Sequence, residues 1–310
     1  MTEVKNRSEI LFIYDIKDAN PNGDPMDENK PRIDEETEIN IVTDVRLKRT
    51  VRDYLSRFKK QDIFIIKEIT EKGMQKTREE RLKELKIKSR VDGEKLLEKY
   101  VDLRLFGATI AVEKMPLTWI GPVQFRFGRS LHKVEPKSIK GTSVMPSQEG
   151  KGQGTFTETQ ILPYSLISFY GIINENAGKS TKLKEEDVEL LLDGIWNGTK
   201  NLITRSKIGQ IPRLLIRIIY KEGNFHIGDL DKKIKLIDQK GNSIDDDKSK
   251  KIRDISEIKL DTKNLITTLK SNKDKIEKIE YEINDDTLLT DKLETSGIRI
   301  EKLNLESPKK

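Results

Sequence analysis

Apolar residues fall into short clusters along this chain, and their spacing changes from one cluster to the next. Ile10 to Ile16 (ILFIYDI) is a continuous apolar run followed by Asn, Pro and Gly, which predicts a buried strand ending in a loop. Asp18 to Glu38 is rich in Asp, Asn, Pro and Glu and predicts irregular chain. Thr43 suits a helix N-cap, with Asp44 in the first turn, and Leu47, Val51, Tyr54, Leu55 and Phe58 recur at helical spacing, so residues 44–58 predict an amphipathic helix. Residues 59 to about 115 change character: charge dominates Lys67 to Lys99, with scattered leucines, and predicts helical segments there. Within them the more apolar Asp102 to Ala111 is suited to pack the region against the body. From Thr118 to His132 the chain alternates, with Val123, Phe125 and Phe127 on one face and Gln124, Arg126 and Gly128 on the other, as in a half-buried strand. Residues 133–160, rich in Gly and Lys, predict a flexible arm or hairpin. Ile161 to Ile173 and Leu214 to Tyr220 predict further strands. Between them Lys184 to Leu202 predicts a helix carrying Val188, Leu191, Leu192, Ile195 and Leu202 on one side.

The order is strand, helix, strand, then strand, helix, strand, with interruptions. That order predicts an α+β fold of the ferredoxin-like, split βαβ kind that RNA-recognition domains share. The chain from Lys221 onward is rich in Lys, Asp and Ile and carries no usable motif, and no internal repeat is visible.

Composition narrows the chemistry. Of 310 residues, 36% are charged and 34% apolar, and the net charge of +6 permits a nucleic-acid partner without requiring one. With no cysteine, disulfides, thiolate metal sites and Cys nucleophiles are excluded. The two histidines, His132 and His226, form no H-E-x-x-H pair, and no G-x-S-x-G elbow occurs. Met1 to Glu9 has no apolar signal core, and no run approaches the roughly 18 apolar residues of a membrane span. A soluble cytoplasmic protein without membrane partners is expected.

Five groups of residues carry candidate chemistry. Asp18, Asn20, Asn22 and Gly23 match the opening of a calcium loop, but the twelfth position is Asn29 rather than Glu, a strand precedes the motif, and Pro21 and Pro25 stiffen it. Turn closure is the simpler account. Asp15, Asp18, Asp24, Asp27 and Asp34 could hold Mg²⁺ for phosphodiester cleavage, although Asp is also an ordinary loop residue. The helix face with Arg46, Lys48, Arg49 and Arg52 suits phosphate contact or is merely solvated. Arg126, Arg129, His132 and Lys133, continued by Lys137, Lys140 and Lys151, form a basic arm, in which a lone histidine is more often a surface or packing residue than a functional one. Arg205 and Lys207 sit in Thr204 to Gln210, a connection that suits backbone binding or is ordinary exposed chain. The aromatic signature of RNA-recognition sheets is absent, so bound RNA would be gripped by phosphate and sugar without reading bases.

YDIKDANPNGDP and PRIDEETEINIVTDVRLKRTVRDY, between Tyr14 and Tyr54, resemble the backbone subunits of type I CRISPR Cascade complexes, particularly subtypes I-B and I-C. DLRLFGATI and GPVQFRFGRSLHKVEP resemble the subtype I-B group, TRSKIGQIPRLL is similar to the same family, and the likeness fades after about residue 225. The resemblance implies a modified RNA-recognition palm (8–58, 116–132, 161–225), helical fingers (59–115), a thumb hairpin (133–160) and a C-terminal extension (226–310). It implies a non-catalytic protein without cofactor or metal. Copies of it would polymerise along CRISPR guide RNA with other Cascade subunits and present the guide to target DNA. It places Lys48, Arg49, Arg52, Asn20 and Asn22 near the RNA backbone. The competing expectations are a metal-dependent endoribonuclease using Asp24 or Asp34, and a calcium-binding module.

Overall fold

The computed structural model describes residues 2–70, 73–87, 90–110, 116–142 and 156–305. In chain order the main strands are β1 (Ser8–Ala19), β2 (Ile39–Val42), β3 (Gly107–Ile110), β4 (Leu117–Ile120), β5 (Val123–Phe125), β6 (Gly128–Lys133), β7 (Lys137–Thr142), β8 (Phe156–Ile173), β9 (Ile211–Tyr220), β10 (Ile276–Ile283) and β11 (Ile300–Lys302). The main helices are α1 (Asp44–Lys59), α2 (Arg78–Glu84), α3 (Arg90–Lys99), α4 (Val101–Phe106), α5 (Glu185–Lys200) and α6 (Lys263–Ser271). One large mixed sheet runs β11-β10-β9-β1-β8-β6-β2, and β5 and β7 also pair with β8. Its heart, β9-β1-β8-β6, is antiparallel where β1 meets β8 and β9 and where β8 meets β6. Read along the chain, these strands and α1 and α5 follow the βαββαβ order expected from the sequence.

The apolar run of β1 is continuous because both of its faces are covered. Ile10, Phe12, Tyr14 and Ile16 meet α1 and α5 in one core, through Leu47, Val51, Leu55, Leu191, Ile195 and Trp196. Leu11 and Ile13 point the other way, into a second core with Tyr164, Leu166, Leu214, Ile216 and Ile218. The lid of that second core is the motif-free tail, through Leu230, Ile234, Ile255, Leu260, Leu265 and Leu269. The tail also extends the sheet, because β10 pairs with β9 from Leu214 to Tyr220. The buried Glu9 carboxylate fastens the start of the tail, accepting from the Tyr170 and Tyr220 hydroxyls and from the Ile227 and Gly228 amides.

The inserted helices have a small core of their own, built on Phe64, Leu82, Leu96, Leu97, Tyr100 and Leu103. Polar struts tie it to the body. Arg104 on α4 donates to both oxygens of Asp187 at 2.8 and 2.7 Å, and Asp102 accepts from Arg52 and from the Phe64 and Ile65 amides.

Two expectations need correction. Phe58 is not a core residue; it is 57% exposed at the end of α1 and stacks on Tyr54. The stretch from 118 to 132 is not one alternating strand. From Phe125 to Arg129 the chain advances four residues while its partner retreats three, from Gly171 to Ser168. This one-residue bulge exchanges the faces. Beyond it Gly128, Ser130 and His132 are buried, while Phe127 and Arg129 face outward. Gly128 is required there, because a Cβ at that position would lie 2.4 Å from the Phe169 ring.

Candidate nucleic-acid interface

Three segments meet at one end of the sheet. The Asn20 amide donates to the Ser206 carbonyl at 2.8 Å, joining the loop after β1 to the α5–β9 connection. Asn22 Oδ1 accepts from both the amide and the hydroxyl of Thr43 at 2.9 Å, and Thr43 in turn caps α1 through the Arg46 amide. These bonds bring the first turn of α1 beside the 201–210 connection.

Arg46 and Lys207 are the consequence. Arg46 is half-buried, donates to Thr50 Oγ1 at 3.1 Å, and has a buried Nε with no partner. Lys207 is half-buried and reaches only Ser206 Oγ, at 3.3 Å. Burial, and after it the nearby Arg46 charge, holds Lys207 below the ordinary lysine value. Burial likewise lowers Arg46. Neither side chain has an ion-pair partner among the described residues. Two like charges, partly desolvated and within electrostatic reach of each other, are costly; the Asp53 charge offsets part of that cost at Arg46, and a bound anion would offset more.

The other predicted cations separate into three groups. Lys48 and Arg52 are occupied within the fold: Lys48 bonds Asp44 at 2.9 Å, Arg52 pairs with buried Asp102, and both lie over the Phe106 ring. Arg49 donates to both oxygens of Asp53. Around the bulge and strand β6 each cation meets carboxylates: Arg126 meets Asp229 and Asp231, Arg129 meets Asp34, and Lys133 meets Glu38 and Asp246. Lys137 and Lys140 on the β7 ribbon, and Arg205 beside Lys207, are exposed and without ion pairs among the described residues. Lys151 lies outside the described residues.

His132 is not a surface group. It is 5% exposed and stacks on Tyr164, its Nε2 accepts from the Leu166 amide at 3.2 Å, and Nδ1 lies 2.8 Å from the Lys133 carbonyl. The bulge places it inside. Asn20 is 2% exposed and braces the loop by donating to the Asn29 carbonyl, and Asn22 is a strut for the cap of α1. The calcium-like spacing is thus loop architecture.

Nor do the five aspartates converge. Asp24 pairs with Arg32 at 2.6 Å, Asp27 with Lys30 at 2.7 Å, Asp34 with Arg129, and buried Asp15 with Arg213 and Tyr164. Among the described residues no three acidic or histidine side chains come together as a metal site.

Arg46 is hard to tell from its basic neighbours by sequence pattern. A usable signal was present: a cation in the first turn of a helix opposes the positive end of the macrodipole, and such a local violation marks function.

Residues 6–263 match the family described as CRISPR-associated protein Cas7. A CRISPR-associated protein Cas7 from Haloferax volcanii is 34% identical, with 92% of each chain covered. Two solved chains share the fold at a TM-score of 0.53 and 13% identity. One is from a CRISPR RNA-guided surveillance complex in a pre-nicking state, covering 92% of this chain and 96% of that one. The other is from a CRISPR RNA-guided surveillance complex, covering 94% of both.

Proposed function

The chain belongs to the CRISPR-associated Cas7 family, and from that premise we propose that it is a non-catalytic backbone subunit of an RNA-guided surveillance complex. Its partners are CRISPR guide RNA, further copies of itself, other subunits of the complex, and target DNA through the guide. The Arg46–Lys207 pair carries the proposal of an RNA site: two partly buried cations, neither in an ion pair among the described residues, suit the phosphates of a backbone. Arg205 and the ribbon residues Lys137 and Lys140 add exposed positive charge. On this reading the central sheet is the palm, the inserted helices are fingers, and the β7–β8 ribbon is the root of a thumb.

The covered sheet supports sequence-independent binding. RNA-recognition domains stack bases on exposed aromatics of the sheet face opposite the helices. Here that face is the second core, closed by the tail. RNA must therefore approach the loops at the sheet's end, where phosphate chemistry dominates. A subunit that accepts every guide needs this indifference, since base pairing reads sequence.

The test is co-expression with a guide RNA, followed by the 260/280 absorbance ratio and size exclusion before and after ribonuclease. A large assembly rich in nucleic acid is expected. Arg46→Ala with Lys207→Ala should weaken binding equally for unrelated guides and flatten the salt dependence, by about 0.7 in slope for each phosphate no longer neutralised. An RNA-free monomer that also ignores added guide refutes the proposal.

A further inference from the structure

Lys207 differs from other lysines of the fold in its company. Lys30, Lys76, Lys133, Lys182 and Lys248 each sit beside carboxylates that hold the proton on the amine. Exposed lysines such as Lys137 and Lys221 keep their hydration. Lys207 has no carboxylate partner and only part of its hydration. It is half-buried, its Nζ donates only to Ser206 Oγ at 3.3 Å, and the charge that reaches it is that of Arg46. Desolvation and a neighbouring cation are the two conditions that turn a lysine into a nucleophile, because both favour the neutral amine.

The surroundings fix the residue and leave it reachable. The Lys207 amide donates to the Thr204 carbonyl and Gln210 Nε2 donates to the Lys207 carbonyl, so Lys207 sits on a closed turn, which the Asn20 amide pins through the Ser206 carbonyl. Ile208 and Gly209 are exposed, and nothing lies within 4 Å of the place a Gly209 Cβ would take. Arg46 adds an anion-binding group. Its Nε is buried without a partner, and the carboxylate whose charge reaches it, Asp53, is already bound through both oxygens by Arg49. An electrophile that carries its own phosphate satisfies both residues at once, with the phosphate on Arg46 and the reactive carbonyl toward Lys207.

We propose that Lys207 is an acylation site whose donor is a small acyl phosphate, held by Arg46 through its phosphate. The neutral amine attacks the carbonyl carbon, a nitrogen–carbon bond forms, and the carbon–oxygen bond to phosphate breaks. Inorganic phosphate leaves with the bonding electrons, the surplus proton passes to water, and nothing is oxidised or reduced. The product amide is uncharged, so the modification removes one of the two cations assigned to the RNA backbone. Acylation thereby limits uptake of guide by the free chain, and bound guide shields the amine. This consequence rests on the RNA-binding reading above, whereas the acylation itself does not.

The test treats the full chain with acetyl phosphate at constant ionic strength and follows each lysine by mass spectrometry. Lys207 is expected to acylate faster than Lys137, Lys140 and Lys221, and inorganic phosphate should compete with the donor. Arg46→Gln should slow the reaction by about 10-fold or more, the loss of one charge-assisted hydrogen bond. With the neutral donor acetyl N-hydroxysuccinimide, inorganic phosphate should have no effect. Prebound guide RNA should suppress the reaction, and the acylated chain should lose about 0.7 in the salt slope of guide binding. Lys207 acylating no faster than the exposed lysines, or an Arg46→Gln chain as reactive as the parent, overturns the inference. So does a rate with acetyl phosphate that inorganic phosphate does not lower, a measurement on the parent chain that decides the matter even where Arg46→Gln fails to fold. Preferential, phosphate-sensitive acylation that guide RNA does not slow, with guide binding unchanged by the modification, overturns the RNA contact at Lys207 and leaves the acylation site standing.

Discussion

His132 provides a quantitative test of the fold. Burial pushes its imidazole from the ordinary 6.5 down to about 4, with the Arg253 charge adding a smaller effect in the same direction. Its bonding gives the reason: Nε2 accepts from the Leu166 amide, which fixes the neutral ring with its proton on Nδ1, and a second proton would face that N–H. The unfolded chain binds the proton more readily than the folded one across this interval, so stability falls as the pH drops below 6.5 and levels off near 4. The full effect is roughly 3 kcal/mol, of which roughly 2 kcal/mol is lost by pH 5. Urea unfolding of the parent and of His132→Leu at pH 8, 6 and 5 isolates it, since all other titrating groups are common to both. The parent should be more stable at pH 8, where its ring bonds are intact, and its advantage should shrink by about 2 kcal/mol at pH 5. Parallel pH dependence of the two proteins would refute a buried neutral histidine. The variant should also leave the salt slope of RNA binding unchanged, because a neutral ring releases no counterion.

Arg104→Met should destabilise by about 3–5 kcal/mol, read by thermal or urea unfolding, because it strands Asp187, only 4% exposed, without its partner. Gly128→Ala should cost about 1–3 kcal/mol through overlap with the Phe169 ring, and Phe169→Leu in the same chain should recover part of that loss. Arg52→Ala should lower stability by freeing Asp102 while leaving the salt slope of RNA binding unaltered; a reduced slope would restore Arg52 to the interface. Ending the chain after Tyr220 should abolish soluble expression, since Leu214, Ile216 and Ile218 lose their cover at about 1.5–3 kcal/mol for each side chain.

Local periodicity is written in the sequence, and wherever a segment's structure follows from it alone, the sequence was sufficient. The doubly buried run of β1, the Thr43 cap, the apolar stripe of α1 and the helix at α5 are of this kind. Their order along the chain was enough to anticipate the α+β sheet, and the motifs around Tyr14 to Tyr54 were enough to suggest the family. The tail was opaque for a related reason. Its scattered isoleucines and leucines make sense only against the sheet face that they cover, which no local pattern reveals.

Tertiary structure decided which charged residues are available. Arg52 and Arg46 look alike on one helix, yet α4 brings Asp102 to the first, and the 201–210 connection brings only another cation to the second. The bulge after Phe125 reversed Phe127 and His132, because side chains alternate with period two and one inserted residue exchanges every face beyond it. The sequence by itself determined the elements, their order and the supply of cations. Only the folded chain decided which cations lack a carboxylate, which aromatic faces water and which face of the sheet is closed, since each depends on what distant segments bring within a few ångströms.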